Sequence, residues 1–222
     1  MIEILKKTKD ILFIYKPAGI PSQKDPSGDD DAMTLTSRQL SALGEPDQLW
    51  LVHRLDRTVG GILVFARNKQ ASAELSRMVS GSEIQKSYLA VTEGYIEDGR
   101  LCDYLYHDKR AGRALISTPE RKDSKFAELT LENIAEYNGR YLVRVRLKTG
   151  RFHQIRAQLS SRGAAIVGDS KYGSRDHGTR MPALFAYRLS LSFKGEIYTV
   201  TKLPEASNYP WSSFITHMER LQ

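Results

Sequence analysis

Apolar residues in this chain fall mainly in short runs and alternations bounded by Gly, Pro and charged residues, a strand-rich pattern. Ile11–Tyr15 reads as a strand stopped by Lys16-Pro17-Ala18-Gly19. Ile62–Ala66 is a continuous apolar run of strand length, and Ser87–Thr92 alternates, with Tyr88, Ala90 and Thr92 on one face and Ser87, Leu89 and Val91 on the other. Phe126–Leu131 and Tyr141–Lys148 follow, and in the second Val143, Val145 and Leu147 alternate with Arg144, Arg146 and Lys148. Phe185–Phe193 and Ile197–Val200 form a last pair around Lys194-Gly195.

Helical spacing is confined to three places. One helix is predicted over Thr34–Leu43 with Gly44 as its stop. A second follows Asn68 as cap, with Ala71, Leu75, Met78 and Val79 on its buried face. The third, Phe152–Ser161, turns Ile155 and Leu159 inward and ends at Gly163. Pro21–Ala32, with three consecutive Asp residues, reads as a mobile polar loop, and His107–Lys125 as an exposed hairpin or loop. The expectation is an α+β fold, a mixed, mostly antiparallel sheet with flanking helices, as one domain over residues 1–222.

Composition narrows the class. At 41% hydrophobic and 27% charged, the chain is neither fibrous, mostly disordered nor membrane-spanning. The charged N-terminus has no secretory pattern, and the lone Cys102 excludes an internal disulfide framework or a Cys-rich zinc site. A cytoplasmic protein is expected. The charge balance adds a partner. Lys plus Arg is 33 against 26 for Asp plus Glu, a net +7. From Asn138 to Gly168 no acidic residue occurs, while Arg140, Arg144, Arg146, Lys148, Arg151, Arg156 and Arg162 do. So concentrated a field suits a polyanion such as RNA or DNA; the competing reading is a solvated strand face.

Several chemistries are missing. Neither a GxxxxGK[ST] nor a GxGxxG loop is present, nor a GxSxG elbow, and the five histidines show no metal-ligand spacing. Two segments remain. His53-Arg54-Leu55-Asp56 lies in a tight loop before a Gly-Gly turn, where Arg54 and Arg57 would favour the ionised form of Asp56. In Gly150-Arg151-Phe152-His153-Gln154-Ile155-Arg156, the helical spacing places Phe152 and His153 each about one turn from Arg156. Arg156 could then reach across a cleft to a carboxylate, or simply form a structural Asp–Arg ion pair.

Taken together, Lys16-Pro17-Ala18-Gly19, His53-Arg54-Leu55-Asp56, the following Gly-Gly-Ile-Leu-Val-Phe-Ala, Lys86-Ser87-Tyr88, GRFHQIRAQL and Val167-Gly168-Asp169-Ser170-Lys171-Tyr172-Gly173 resemble the RluA family of RNA pseudouridine synthases. The resemblance runs from about Ile11 to Phe193. It implies an isomerase that flips a uridine out of RNA, breaks its glycosidic bond and rejoins the base through carbon 5. It assigns Asp56 as the indispensable catalytic residue, Tyr88 to the target base and its carbon-5 proton, and Arg156 to pairing with the catalytic carboxylate. Arg54 is implied to fill the gap left by the flipped nucleotide, with His53, Arg151, His153 and Gln154 as further substrate contacts. No metal or nucleotide cofactor is required. The sequence departs from the family where Val59-Gly60-Gly61 replaces Thr-Ser-Gly after the Asp, and where Gly163-Ala164-Ala165 replaces Gly-His-Pro.

Many relatives carry a small N-terminal RNA-binding module of S4 type; this chain is expected to consist of the catalytic domain alone. Its rRNA or tRNA partner would then be held by the domain itself, through Arg144, Arg146 and Lys148. A monomer without membrane attachment is expected. The alternative is a non-catalytic RNA-binding protein or chaperone on the same fold. A uracil-releasing hydrolase is disfavoured, because one carboxylate with an Arg partner lacks the second acid/base group of a glycosidase pair.

Overall fold

The computed structural model describes residues 1–221. Its first unit comprises Met1–Gln85 with Ala186–Lys202, and its second Lys86–Phe185 with the chain from Leu203 onward. In chain order the strands are β1 (Glu3–Lys7), β2 (Ile11–Lys16), β3 (Trp50–Leu51), β4 (Gly60–Ala66), β5 (Gln85–Thr92) and β6 (Gly99–Asp108). They continue as β7 (Arg113–Ser117), β8 (Lys125–Tyr137), β9 (Arg140–Leu147), β10 (Leu184–Phe193) and β11 (Glu196–Thr201). The helices are α1 (Ala32–Ala42), α2 (Lys69–Ser80), α3 (Gln154–Ser160) and α4 (Ile215–Glu219). This is the expected α+β class, mostly antiparallel sheet with flanking helices, and no helix among the described residues is long and apolar enough to cross a membrane.

In the first unit the strands run β1-β2-β4-β10, with β3 paired to β4 and β11 to β10. All seven residues of β4 are buried, which is why its apolar run does not alternate: both faces are covered. Antiparallel pairing sets Ile11 against Ala66 at one end of β2 and Lys16 against Gly61 at the other. The core gathers Ile11, Phe13, Ile62 and Val64 with Ala71, Leu75 and Met78 of α2 and Leu189, Leu191 and Phe193 of β10. Each large side chain buried there contributes about 1.5–3 kcal/mol. The predicted cap of α2 is present: the Asn68 side chain accepts from Ala71 N at 2.8 Å. Helix α1 starts two residues earlier than expected, because Asp31 caps it through Thr34 N at 2.9 Å.

In the second unit the order is β5-β9-β8-β6-β7, every neighbouring pair antiparallel. Hydrophobic alternation missed β6, and the reason is Asp103. It occupies an inward position between Leu101 and Leu105, where it accepts from Gln158 Nε2 at 2.6 Å and pairs with Arg162 at 3.0 Å. A satisfied inward carboxylate thus interrupts an otherwise apolar face. The segment expected as an exposed hairpin or loop is a hairpin, the end of β6 turning into β7. Small residues let α3 approach the sheet closely: Ala114, Ala127 and Ala157 pack with Leu105 and Tyr172.

Candidate active site

The loop carrying Asp56 hangs between β3 and β4 and is fixed chiefly by backbone bonds. Leu55 is buried, and the Ser22 hydroxyl both accepts from its N–H at 3.0 Å and donates to its carbonyl at 2.9 Å. Val59 N donates to the Asp56 carbonyl at 3.0 Å, closing a tight turn around the half-buried carboxylate. Downstream, Gly61 has φ +133°, and a Cβ there would overlap the carbonyl oxygen of Ala186. Gly61 is thus a steric requirement of strand packing.

The charged residues around the loop have partners of their own. Arg57 turns away toward the preceding segment, with Nε donating to Gly19 O at 3.0 Å and Nη1 to Ser27 Oγ at 3.0 Å. It also pairs with Asp29, so the stretch read as a mobile loop is tied to the Asp56 loop. One cation that couples to Asp56 is Lys16, which sequence reasoning noticed only as part of a motif. Lys16 is 0% exposed, and its ammonium donates to the carbonyls of Ile20 (2.7 Å), Pro17 (2.9 Å) and Arg57 (3.3 Å). Burial pulls its pKa down to about 7, while the neighbouring Asp56 charge pulls it up.

His53 and Arg54 separate in role. His53 Nε2 accepts from Val64 N at 3.2 Å and so braces the loop against β4, whereas Arg54 is exposed.

In the second unit Tyr88 is 7% exposed on β5, opposite Val145 of β9. Arg144 and Arg146 lie on the other face of β9 and share Glu132, at 2.5 and 3.5 Å. Five of the seven basic residues that made the 138–168 segment look like a field for a polyanion meet carboxylates of this unit. Arg140 pairs with Asp176, Arg144 and Arg146 with Glu132, Arg156 with Asp169, and Arg162 with Asp103.

Helix α3 begins later than predicted, at Gln154, because His153 adopts a left-handed conformation (φ 49°) as its cap. Phe152 therefore precedes the helix and is not one turn from Arg156 on it. His153 still reaches Arg156, with Nε2 and Nη1 2.9 Å apart. Gln154 is occupied internally: its carbonyl oxygen accepts from Thr149 Oγ1 (2.8 Å) and Arg151 N (3.0 Å), and its amide donates to Glu128 O at 3.1 Å. Arg151 is exposed and donates through Nε to Phe126 O at 2.8 Å. The guanidinium of Arg156 grips Asp169 in a buried bidentate pair, Nε to Oδ2 at 2.6 Å and Nη2 to Oδ1 at 2.7 Å. Asp169 and Tyr172 stand in a motif quoted above without a role; a Gly-Asp pair followed by a Tyr was the available signal.

Comparison with known proteins follows the same lines. The profile described as RNA pseudouridylate synthase matches residues 10–161. An RNA pseudouridine synthase of Haemophilus influenzae is 30% identical over 94% of this chain and 90% of its own length. The tRNA pseudouridine synthase C of Yersinia pestis is 28% identical over 100% of this chain and 96% of its own. Among solved structures, human RNA pseudouridylate synthase domain containing 4 shares the fold, with a TM-score of 0.77 at 21% identity over 99% of this chain and 92% of that one. The carboxylate loop, the Tyr88 strand and the Arg156 helix thus stand in a chain that belongs to the RNA pseudouridylate synthase family.

Proposed function

We propose that this RNA pseudouridine synthase acts on uridine in tRNA, with Asp56 as its essential carboxylate and Tyr88 and Arg156 serving the same reaction. The observation that carries the reading is the Asp56 loop. A half-buried carboxylate is held on a turn braced from three directions, with a buried ammonium coupled to it. Such rigidity suits a group that must meet one atom of a flipped nucleotide. The preference for tRNA rests on full-length relatives bearing that name.

The isomerisation is balanced without a cofactor: the N1–C1′ bond breaks, a C5–C1′ bond forms, C5 loses a proton and N1 gains one. Asp56 acts ionised, either on the sugar carbon or on its neighbouring proton. Tyr88 packs on the base and takes up the C5 proton. Arg156 favours the ionised carboxylate. Extruding the nucleotide costs roughly a few kcal/mol, which the exposed Arg54 offsets by occupying the vacated stack.

The test is release of tritium from tRNA labelled at C5 of uridine. Wild type should release it, and Asp56→Ala should not, with its circular dichroism unchanged. Comparable release by both proteins would overturn the assignment.

A further inference from the structure

Arg156 is 5% exposed and Asp169 1%. Burying an ion pair so completely is a poor way to gain stability, because desolvation consumes most of the Coulombic attraction. It is a good way to fix a plane. The Nε/Nη2 edge of the guanidinium is held by both oxygens of Asp169, which stops the group rotating about its stem.

The remaining terminal nitrogen is also placed. Nη1 lies 2.9 Å from His153 Nε2, and a guanidinium only donates, so Nε2 accepts and the ring proton sits on Nδ1. Nδ1 faces the Tyr172 hydroxyl at 3.0 Å. That hydroxyl accepts from Ala114 N at 2.6 Å and donates to Ala114 O at 3.3 Å. The Tyr172 ring lies against the guanidinium, 4.9 Å from its central carbon. Asp169 follows Gly168, whose φ is +79° and where a Cβ would come within 2.5 Å of Met181 O, so the backbone leading into Asp169 takes glycine there.

From this geometry we infer that Asp169 is the positioning residue for Arg156, with His153 and Tyr172 completing the brace, so that the guanidinium is oriented before RNA arrives. The inference rests on the reading that Arg156 serves the reacting carboxylate. Preorganisation of this kind governs rate: displacing a reacting or stabilising group by about 1 Å costs on the order of a hundredfold.

The experiment compares Arg156→Gln, Asp169→Asn, Asp169→Glu and Tyr172→Phe with wild type. kcat and KM are measured by tritium release from C5-labelled tRNA across pH 5–8, with thermal melts alongside. For Asp169→Asn we expect kcat to fall about 30-fold or more with KM within about threefold. The acid limb of its kcat profile should move to higher pH, because a displaced Arg156 favours the ionised carboxylate less. Asp169→Glu should recover part of kcat, and Tyr172→Phe should lose about three- to tenfold. A folded Asp169→Asn protein with wild-type kcat and acid limb overturns the inference. Should Asp169→Asn fail to fold, Tyr172→Phe decides alone: a shifted acid limb supports the brace, and an unchanged profile overturns it. Wild-type activity in Arg156→Gln would instead remove the role proposed for Arg156, and the brace with it.

Discussion

The ammonium of Lys16 donates to the carbonyl of Arg57 across 3.3 Å, one residue beyond Asp56 along the chain. The same nitrogen reaches Pro17 and Ile20, so three N–H groups meet three carbonyls in a position with no solvent exposure. An ammonium is the only side-chain group with three rotatable donors on one atom. The Lys-Pro-Ala-Gly turn and the Asp56 loop are therefore joined through one nitrogen, which also couples its charge to the carboxylate.

Lys16→Met removes all three donors while keeping an unbranched apolar stem. Each orphaned carbonyl costs about 1–3 kcal/mol, partly offset by no longer burying a charge. A net loss of about 2–4 kcal/mol is expected in urea unfolding, together with reduced turnover. Unchanged stability would show that the three bonds contribute nothing.

The same pair of proteins reports on pH. Lys16 titrates near 7 when folded, because burial disfavours its charged form, against 10.5 for a free lysine. Between those values the unfolded chain binds the extra proton, so stability rises with pH across that window, and below about pH 7 the full burial penalty applies. The difference in unfolding free energy between wild type and Lys16→Met should accordingly move in favour of wild type from pH 7 to 10, by up to about 1.4 kcal/mol per pH unit. A flat difference would show that Lys16 stays protonated throughout.

Gly61→Ala should be costly for two separate reasons, the positive φ and the overlap with Ala186 O. A loss of about 2 kcal/mol or more is expected from melting curves, with activity falling as well because the strand start fixes the end of the Asp56 loop. A stable, fully active variant would contradict the close approach.

Salt dependence tests the basic stripe of β9. Since Arg144 and Arg146 already share Glu132, replacing either with Ala should change the slope of log affinity for tRNA against log salt by well under the roughly 0.7–0.9 unit that one lost phosphate contact gives. A change of about 0.7 unit or more for either would show that it leaves Glu132 for a phosphate.

The sequence made some of this architecture legible and hid the rest for definable reasons. The Asp56 loop stood out because it interrupts two apolar runs, and α2 because its cap and buried face are local signals. The pairing of Arg156 with Asp169 spans 13 positions, and that of Arg162 with Asp103 spans 59, so a charge tally within one segment registered a field that the fold largely neutralises. His153 was placed in a helix because sequence spacing does not report a left-handed cap. Lys16 was legible as a residue type and not as a brace, since its partners are backbone carbonyls that any sequence supplies.

Lys16 is also the last residue of β2, opposite Gly61, where that strand pair ends. Only when β2 and β4 pair in this register at their Lys16–Gly61 end does the ammonium meet the Arg57 carbonyl. A slip of two residues would keep every side chain on its own face and still carry the nitrogen about 7 Å away. The placement of the Asp56 loop is thereby tied to the register of one strand pairing. In a refolding experiment, activity should return only after the amides of β2 and β4 have become protected from exchange, however early the rest of the sheet collapses.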